Sequence, residues 1–279
     1  SSIRSSPPMP LGIAVTTTPT EVEYVADLLW GLGVVALSEH WQSTGVVILR
    51  TSLGEDRAAV TASLNALPVE LEWVFEDIDD SVGTEWREHV QPVAITPDLA
   101  IIPAWIDDST SSARTKVLID PGPTFGLGDH PTTRACLELM TRLIEPGATV
   151  IDVGCGSGVL GITALLLGAS RAVGIDITPA VLEVSTDNAR RNGVESKWMA
   201  STNDLTTVAN AYDLVLANIL APTLIDLSDE LKRLVGPNGR LVVSGVLDGH
   251  FDHVLAALEP LRVVDTLMIE GWAAVVLER

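Results

Sequence analysis

The sequence predicts an α/β protein in which a doubly wound sheet follows a small α+β domain of ferredoxin-like order. Three observations carry this reading. From Thr149 onward, short apolar runs alternate with segments of helical period. Runs such as Asp213-Leu-Val-Leu-Ala-Asn218 are continuously apolar between their ends, which marks strands buried on both faces. The first 76 residues read β-α-β-β-α-β, the order of a ferredoxin-like sheet.

The elements follow in order. Leu11–Thr16 reads as a strand. Thr18 can cap a helix that opens with Pro19 and carries Glu21 three residues after the cap. Val22, Val25, Ala26 and Leu29 supply its apolar stripe. Strands are expected at Val34–Leu37 and Val46–Leu49, with Gly45 in the turn, and a second helix over Glu55–Leu67 that Pro68 ends. Val69–Phe75 alternates apolar and charged residues, as a half-buried strand does. One face of this first sheet is expected to be free for docking. Residues 1–78 therefore form the first domain, 79–98 an acidic linker, and 99–279 the second domain. Leu99–Ile106 and Lys116–Asp120 read as strands joined by the polar turn Asp107–Thr115. A Gly/Pro-rich loop, Asp120–Thr133, opens a helix through Ile144. Seven strands are expected at 149–153, 171–176, 196–200, 213–218, 239–246, 261–269 and 272–277, the last two able to pair antiparallel. Helices fill 158–168, 179–192, 221–234 and 249–258.

Composition narrows the function. Of 279 residues, 47% are apolar and 19% charged, which supports a sizeable core and excludes bulk disorder. Lys and Arg number 17 against 37 Asp and Glu, a formal charge of −20. Such a chain repels phosphate, so direct binding to nucleic acid or an anionic membrane is not expected. A basic protein or a small cation is the expected partner. Residues 1–100 hold four Arg, no Lys and fifteen acidic residues, so the first third is the place where a basic partner would be recruited. Cys136 and Cys155 form neither a disulfide framework nor a CxxC pair, which fits a reducing cytoplasm. Ser1–Pro10 lacks the apolar core of a signal peptide. Val159–Ala169, the most apolar stretch, is too short for a bilayer. A cytoplasmic, monomeric protein is expected.

The chemistry concentrates at Val150-Ile-Asp-Val-Gly-Cys-Gly-Ser-Gly158. A strand enters a glycine turn that opens a helix, as where a ligand lies against bare backbone. Gly154 and Gly156 are cofactor candidates. Asp176, eighteen residues after Gly158, ends the next strand and can accept hydrogen bonds from both hydroxyls of a ribose; Ile177 adjoins it. Together they indicate a nucleoside cofactor. Gly156–Gly161 also satisfies G-x-G-x-x-G, so a dinucleotide oxidoreductase stays open. Two features favour S-adenosylmethionine: Asp152 at the strand tip would suit a sulfonium or ammonium, and Cys155 and Ser157 put side chains where a pyrophosphate wants a clear helix N-terminus. Asn218 ends another strand at the same edge, where its carbonyl could accept from an amine or its side chain could cap the next helix. Thr132 and Thr133 either cap their helix or reach a cofactor carboxylate. His130, held extended by Pro131, reads as structural. Cys155 reads as a small loop residue, and His250 and His253 as solvent-facing. No metal-ligand spacing is present.

Three segments resemble the ribosomal protein L11 methyltransferase family. Phe125-Gly-Leu-Gly-Asp-His-Pro-Thr-Thr133 looks like its F-G-T-G-x-H-P-T-T loop, Val150–Gly158 like its V-I-D-x-G-C-G-S-G, and Asn218-Ile-Leu-Ala221 like its N-I-L-A. Trp86, Pro92 and Ile102-Pro-Ala-Trp105 fit more loosely. The resemblance covers roughly 85–279. It implies a seven-stranded S-adenosylmethionine methyltransferase sheet, S-adenosylmethionine as donor, and lysine and N-terminal amines of L11 as acceptors. It also implies a first domain that binds the acceptor. Carried over, Thr133, Gly154, Asp176 and Asn218 would contact the cofactor, with Phe125 near the donor and Asn218 as the catalytic side chain. Leu127 departs from the pattern, standing where the family has Thr.

Overall fold

The computed structural model describes residues 11–76 except 20, 33, 35, 36, 43, 55 and 68, then 90–121, 127–247, 249 and 251–279. The chain divides between Val90 and Gln91 into two units.

Unit 1 contains β1 (Leu11–Thr17), α1 (Val22–Gly31), β2 (Leu37–Trp41), β3 (Val47–Leu53), α2 (Arg57–Asn65) and β4 (Glu72–Glu76). Its sheet order is β2-β3-β1-β4, antiparallel throughout, which is the ferredoxin-like arrangement. Ile13, Val15, Val47 and Leu49 point to one face, where Val22, Val25 and Leu29 of α1 and Val60 and Leu64 of α2 cover them. Asp56 caps α2, accepting from the Ala58 N–H at 2.8 Å. The first helix starts later than expected, at Val22: the Thr18 carbonyl takes the Val22 N–H at 2.9 Å, while the Thr18 hydroxyl donates to the Glu21 carboxylate at 3.0 Å. On the opposite face, Ala14 pairs with Arg50 and Val74, and Val74 is 57% exposed. The expected strand Val34–Leu37 is displaced: β2 begins at Leu37 and runs to Trp41. It is an edge strand held by β3 alone, so its residues, Leu-Ser-Glu-His-Trp, need no apolar run.

Unit 2 opens on a three-stranded sheet, β5 (Val93–Thr96), β6 (Leu99–Pro103) and β7 (Thr115–Ile119). β5 lies inside the segment 79–98 expected as linker; it pairs antiparallel with β6, which itself runs parallel to β7. The rest is α3 (Pro131–Leu143), β8 (Thr149–Val153), α4 (Val159–Leu166), β9 (Arg171–Ile175), α5 (Ala180–Arg191), β10 (Trp198–Ser201), β11 (Tyr212–Asn218), α6 (Ala221–Asp226), α7 (Ser228–Leu234), β12 (Val235–Leu247), α8 (Asp252–Leu258), β13 (Arg262–Ile269) and β14 (Trp272–Glu278). The large sheet has the order β10-β9-β8-β11-β12-β14-β13. Only β14 runs antiparallel to its neighbours. Ile151, Val153, Val173, Val215, Ala217, Leu241 and Val243 fill the core on one side against Leu224, Leu231, Val254 and Leu258. The single helix expected over 221–234 is two. Asp229 and Glu230 in the first turn of α7, and Lys232 and Arg233 in its last, suit an independent helix dipole. Among the described residues, no helix is long and apolar enough to cross a membrane.

Candidate functional site

The parallel strands β8, β9 and β11 end together, at the edge where such sheets take their ligands. After β8 the chain turns through Gly154–Gly158 into α4. Gly154, Gly156 and Gly158 have φ of +74°, +49° and +82°, values that side chains resist. A Cβ on Gly154 would also stand 2.4 Å from Cγ2 of Ile219. The turn is tied to the end of β9. The N–H groups of Gly154 and Cys155 donate to the Ile175 carbonyl at 2.8 and 3.1 Å. The Gly156 N–H donates to Oδ2 of Asp176 at 3.1 Å, while its Oδ1 accepts from the Thr178 N–H at 3.0 Å. Each carboxylate oxygen has a second acceptor position, so Asp176 can hold the turn and two ligand hydroxyls together. Ile177, next to it, is 95% exposed and offers an apolar side chain at the rim.

Beneath the turn lies Trp198 of β10. Its ring atoms come within 3.3, 2.3 and 2.5 Å of where Cβ atoms on Gly158, Gly161 and Gly174 would be. The third glycine of G-x-G-x-x-G thus makes room for an indole. Trp198 Nε1 is buried without a hydrogen-bond partner among the described residues.

Two sequence arguments for the cofactor's identity do not survive. Asp152 is 1% exposed and accepts from the Gly161 N–H at 2.9 Å. It faces the underside of the turn rather than a cation in the crevice, and burial pushes its carboxyl up to about 7, helped by the nearby Asp176 charge. Cys155 and Ser157 are buried too, so neither side chain screens the helix N-terminus. Burial raises the Cys155 thiol, which agrees with a loop residue and not a nucleophile.

Across the site, Asn218 at the end of β11 donates from Nδ2 to Thr133 Oγ1 at 3.2 Å. Its carbonyl oxygen remains an acceptor. Asn218 does not cap the following helix: Leu220 occupies that position. Thr132 and Thr133 do not cap α3 either. His130 does, with ψ of 139° and Nδ1 accepting from the Thr132 N–H, and its ring packs edge-on against Trp272 at 5.2 Å. Thr133 is thereby buried with its hydroxyl on Asn218. Leu127 is buried. Phe125 and His250 lie outside the described residues, and His253 is exposed on α8. Among the described residues, no His, Cys, Asp and Glu cluster could hold a metal.

Sequence reasoning missed Asn188 on α5 and Asn192 at its C-cap. The Asn192 amide pairs with the N–H and carbonyl of Leu118, at 2.9 and 2.8 Å. The Asn188 amide pairs with the N–H and carbonyl of Asp120, at 3.0 and 2.9 Å, and also donates to the Ser157 carbonyl at 2.9 Å. The available signal was two asparagines four apart that continue the helix stripe of the buried Val181 and Ser185.

Comparison with known proteins decides the cofactor. The model of the ribosomal protein L11 methyltransferase (PrmA) family matches residues 54–279. The chain belongs to that family. It is 38% identical over 249 residues to the ribosomal protein L11 methyltransferase of Idiomarina loihiensis, covering 86% of this chain and 82% of the relative. The corresponding protein of Dictyoglomus thermophilum is 32% identical over 254 residues, covering 86% and 83%. A solved ribosomal protein L11 methylase of Lactobacillus delbrueckii superposes with a TM-score of 0.62 at 28% identity, over 68% of this chain and 99% of that one. This family member is a methyltransferase, and S-adenosylmethionine is its donor. The donor suits the site on structural grounds: a glycine turn at the strand edge that leaves backbone bare of side chains, a carboxylate with acceptor positions to spare, and an exposed apolar rim.

Proposed function

We propose that this enzyme methylates amino groups of ribosomal protein L11, on lysine side chains and the N-terminal α-amine. Its named relatives support that acceptor. The observation that carries the site assignment is the meeting of the Gly154–Gly158 turn, Asp176 and the Asn218–Thr133 pair at adjoining strand ends. In this reading Gly154 and Gly156 present bare backbone to the donor, Asp176 accepts from its ribose hydroxyls, and Ile177 covers its base. Thr133 lies toward the reacting end. Bound S-adenosylmethionine supplies an electrophilic methyl group on a sulfonium.

The residues' task is then placement. The amine lone pair must lie about 3 Å from the methyl carbon, in line with the bond that breaks. The Asn218 carbonyl accepts from an amine N–H and aims that lone pair. A lysine of ordinary pKa is under about one part in 10³ neutral at pH 7, so a dry pocket that lowers the pKa raises the reactive fraction. The chain needs no dedicated base, because the product's proton passes to solvent. The outer face of the unit 1 sheet, where Glu72 lies beside exposed Val74 and Glu76 pairs with Arg50 at 2.9 Å, receives the basic acceptor. The enzyme acts in the cytoplasm as a monomer.

The test is incubation of the protein with labelled S-adenosylmethionine and purified L11 from the same cell, followed by mass spectrometry. Methyl groups on L11 lysines and its first residue are expected. An unlabelled L11, with label entering a small cationic acceptor instead, overturns the assignment.

A further inference from the structure

We infer that Asn188 is a positioning residue that makes the donor turn and the chain at Asp120 one rigid frame; the inference rests on the donor lying over Gly154–Gly158. A carboxamide has two donor and two acceptor positions, and Asn188 uses all four. Nδ2 donates to the carbonyls of Asp120 and Ser157, at 2.9 Å each. Oδ1 accepts from the Asp120 N–H at 3.0 Å and from Arg191 Nη1 at 2.8 Å. The side chain is wholly buried, where such a network is rigid when complete.

The geometry explains why asparagine stands at both 188 and 192. Residues four apart on a helix are about 6 Å apart along its axis, close to the roughly 6.6 Å between alternate residues of a strand. Asn188 and Asn192 therefore match Asp120 and Leu118 and serve as the missing neighbour on the free edge of β7. Asn192 repeats the backbone pairing but makes no bond to the glycine turn. Of the two asparagines, Asn188 alone joins three pieces: the helix after Asp176, the turn through Ser157, and Asp120 just past the end of β7. One amide thus braces the donor's seat against the end of the first sheet of unit 2.

The matched variants Asn188→Ala and Asn192→Ala separate positioning from bulk stability. Both are assayed at a temperature where circular dichroism shows them fully folded. Asn188→Ala is expected to weaken donor binding at least fivefold in calorimetry. Asn192→Ala, which loses the same kind of strand-edge pairing but no bond to the turn, is expected to keep the donor's Kd within threefold. A donor Kd for Asn188→Ala at the wild-type level, or an equal loss in Asn192→Ala, overturns the inference. Hydrogen exchange on the wild-type protein tests it without any variant. S-adenosylhomocysteine should slow exchange at residues 118–120 as well as at 154–158. Protection confined to 154–158 and 176–178 overturns it. Wild type that binds no donor, or leaves L11 unmethylated, defeats the functional reading instead.

Discussion

Around the turn at 154–158, five backbone N–H groups (those of Gly154, Cys155, Gly156, Gly158 and Gly161) reach fixed acceptors, whereas on the facing side Asn218 rests on one hydrogen bond to Thr133. The donor side is thus shaped by main chain and by the absence of side chains. The acceptor side is shaped by two side chains whose backbones could hold other residues. The difference teaches where changes should fall: those on the donor side should destroy binding, and those on the acceptor side should slow turnover and leave binding in place.

The largest effect is expected at Gly154→Ala. The positive φ costs a side chain about 1–2 kcal/mol, and the contact with Ile219 adds roughly 1–3 kcal/mol of overpacking. Donor affinity measured by calorimetry should fall about 100-fold, since about 1.4 kcal/mol is a factor of ten. Ile219 adjoins Asn218, so kcat should fall as well. An affinity close to wild type would show that the turn is not the seat. Asp176→Ala comes next: it removes both the ribose acceptors and the brace on Gly156, and affinity should drop at least tenfold. An unchanged value would place the ribose elsewhere. Asn218→Ala should reverse the pattern, with kcat roughly tenfold lower and donor affinity within threefold. Full turnover would reduce Asn218 to a strut beneath Thr133.

The same contrast governs what the sequence disclosed. The donor side was legible because its needs are written in residue types: glycines where φ is positive, an acid at a strand end, apolar runs on either side. The large sheet was legible for the same reason, and its strands at 149–153 and 171–176 fall within a residue of β8 and β9. Side-chain direction was not. β8 is covered on both faces, so no alternation tells which way Asp152 turns, and it points down at the Gly161 N–H. Edge strands were also obscure. β2 and β5 each pair with a single neighbour, and neither needs a long apolar run. β12 continues through Gly236-Pro237-Asn238-Gly239, where turn chemistry hides the strand. The role of Asn188 lies in contacts with residues 68 and 31 positions away, beyond any local pattern.

The smallest effect probes the buttress under the donor turn through pH. Burial pushes the Asp152 carboxyl up to about 7, against 3.8 ordinarily; the Gly161 N–H opposes that rise and the Asp176 charge adds to it. Between about pH 4 and 7 the folded protein therefore keeps a proton that the unfolded chain has lost. More protons bound in the folded state means that stability falls as pH climbs through that window, then levels off once both states are ionised. Asp152→Asn keeps an acceptor for the Gly161 N–H and cannot ionise. The unfolding midpoint of wild type minus that of the variant should decline from pH 4 to 7 and stay flat to pH 8. Any constant offset reflects the new amide, and the slope alone carries the test. Parallel curves would mean that Asp152 ionises as freely folded as unfolded. It would then be solvated, and the floor of the donor turn would be open to water, unlike the sealed packing of Trp198 beside it.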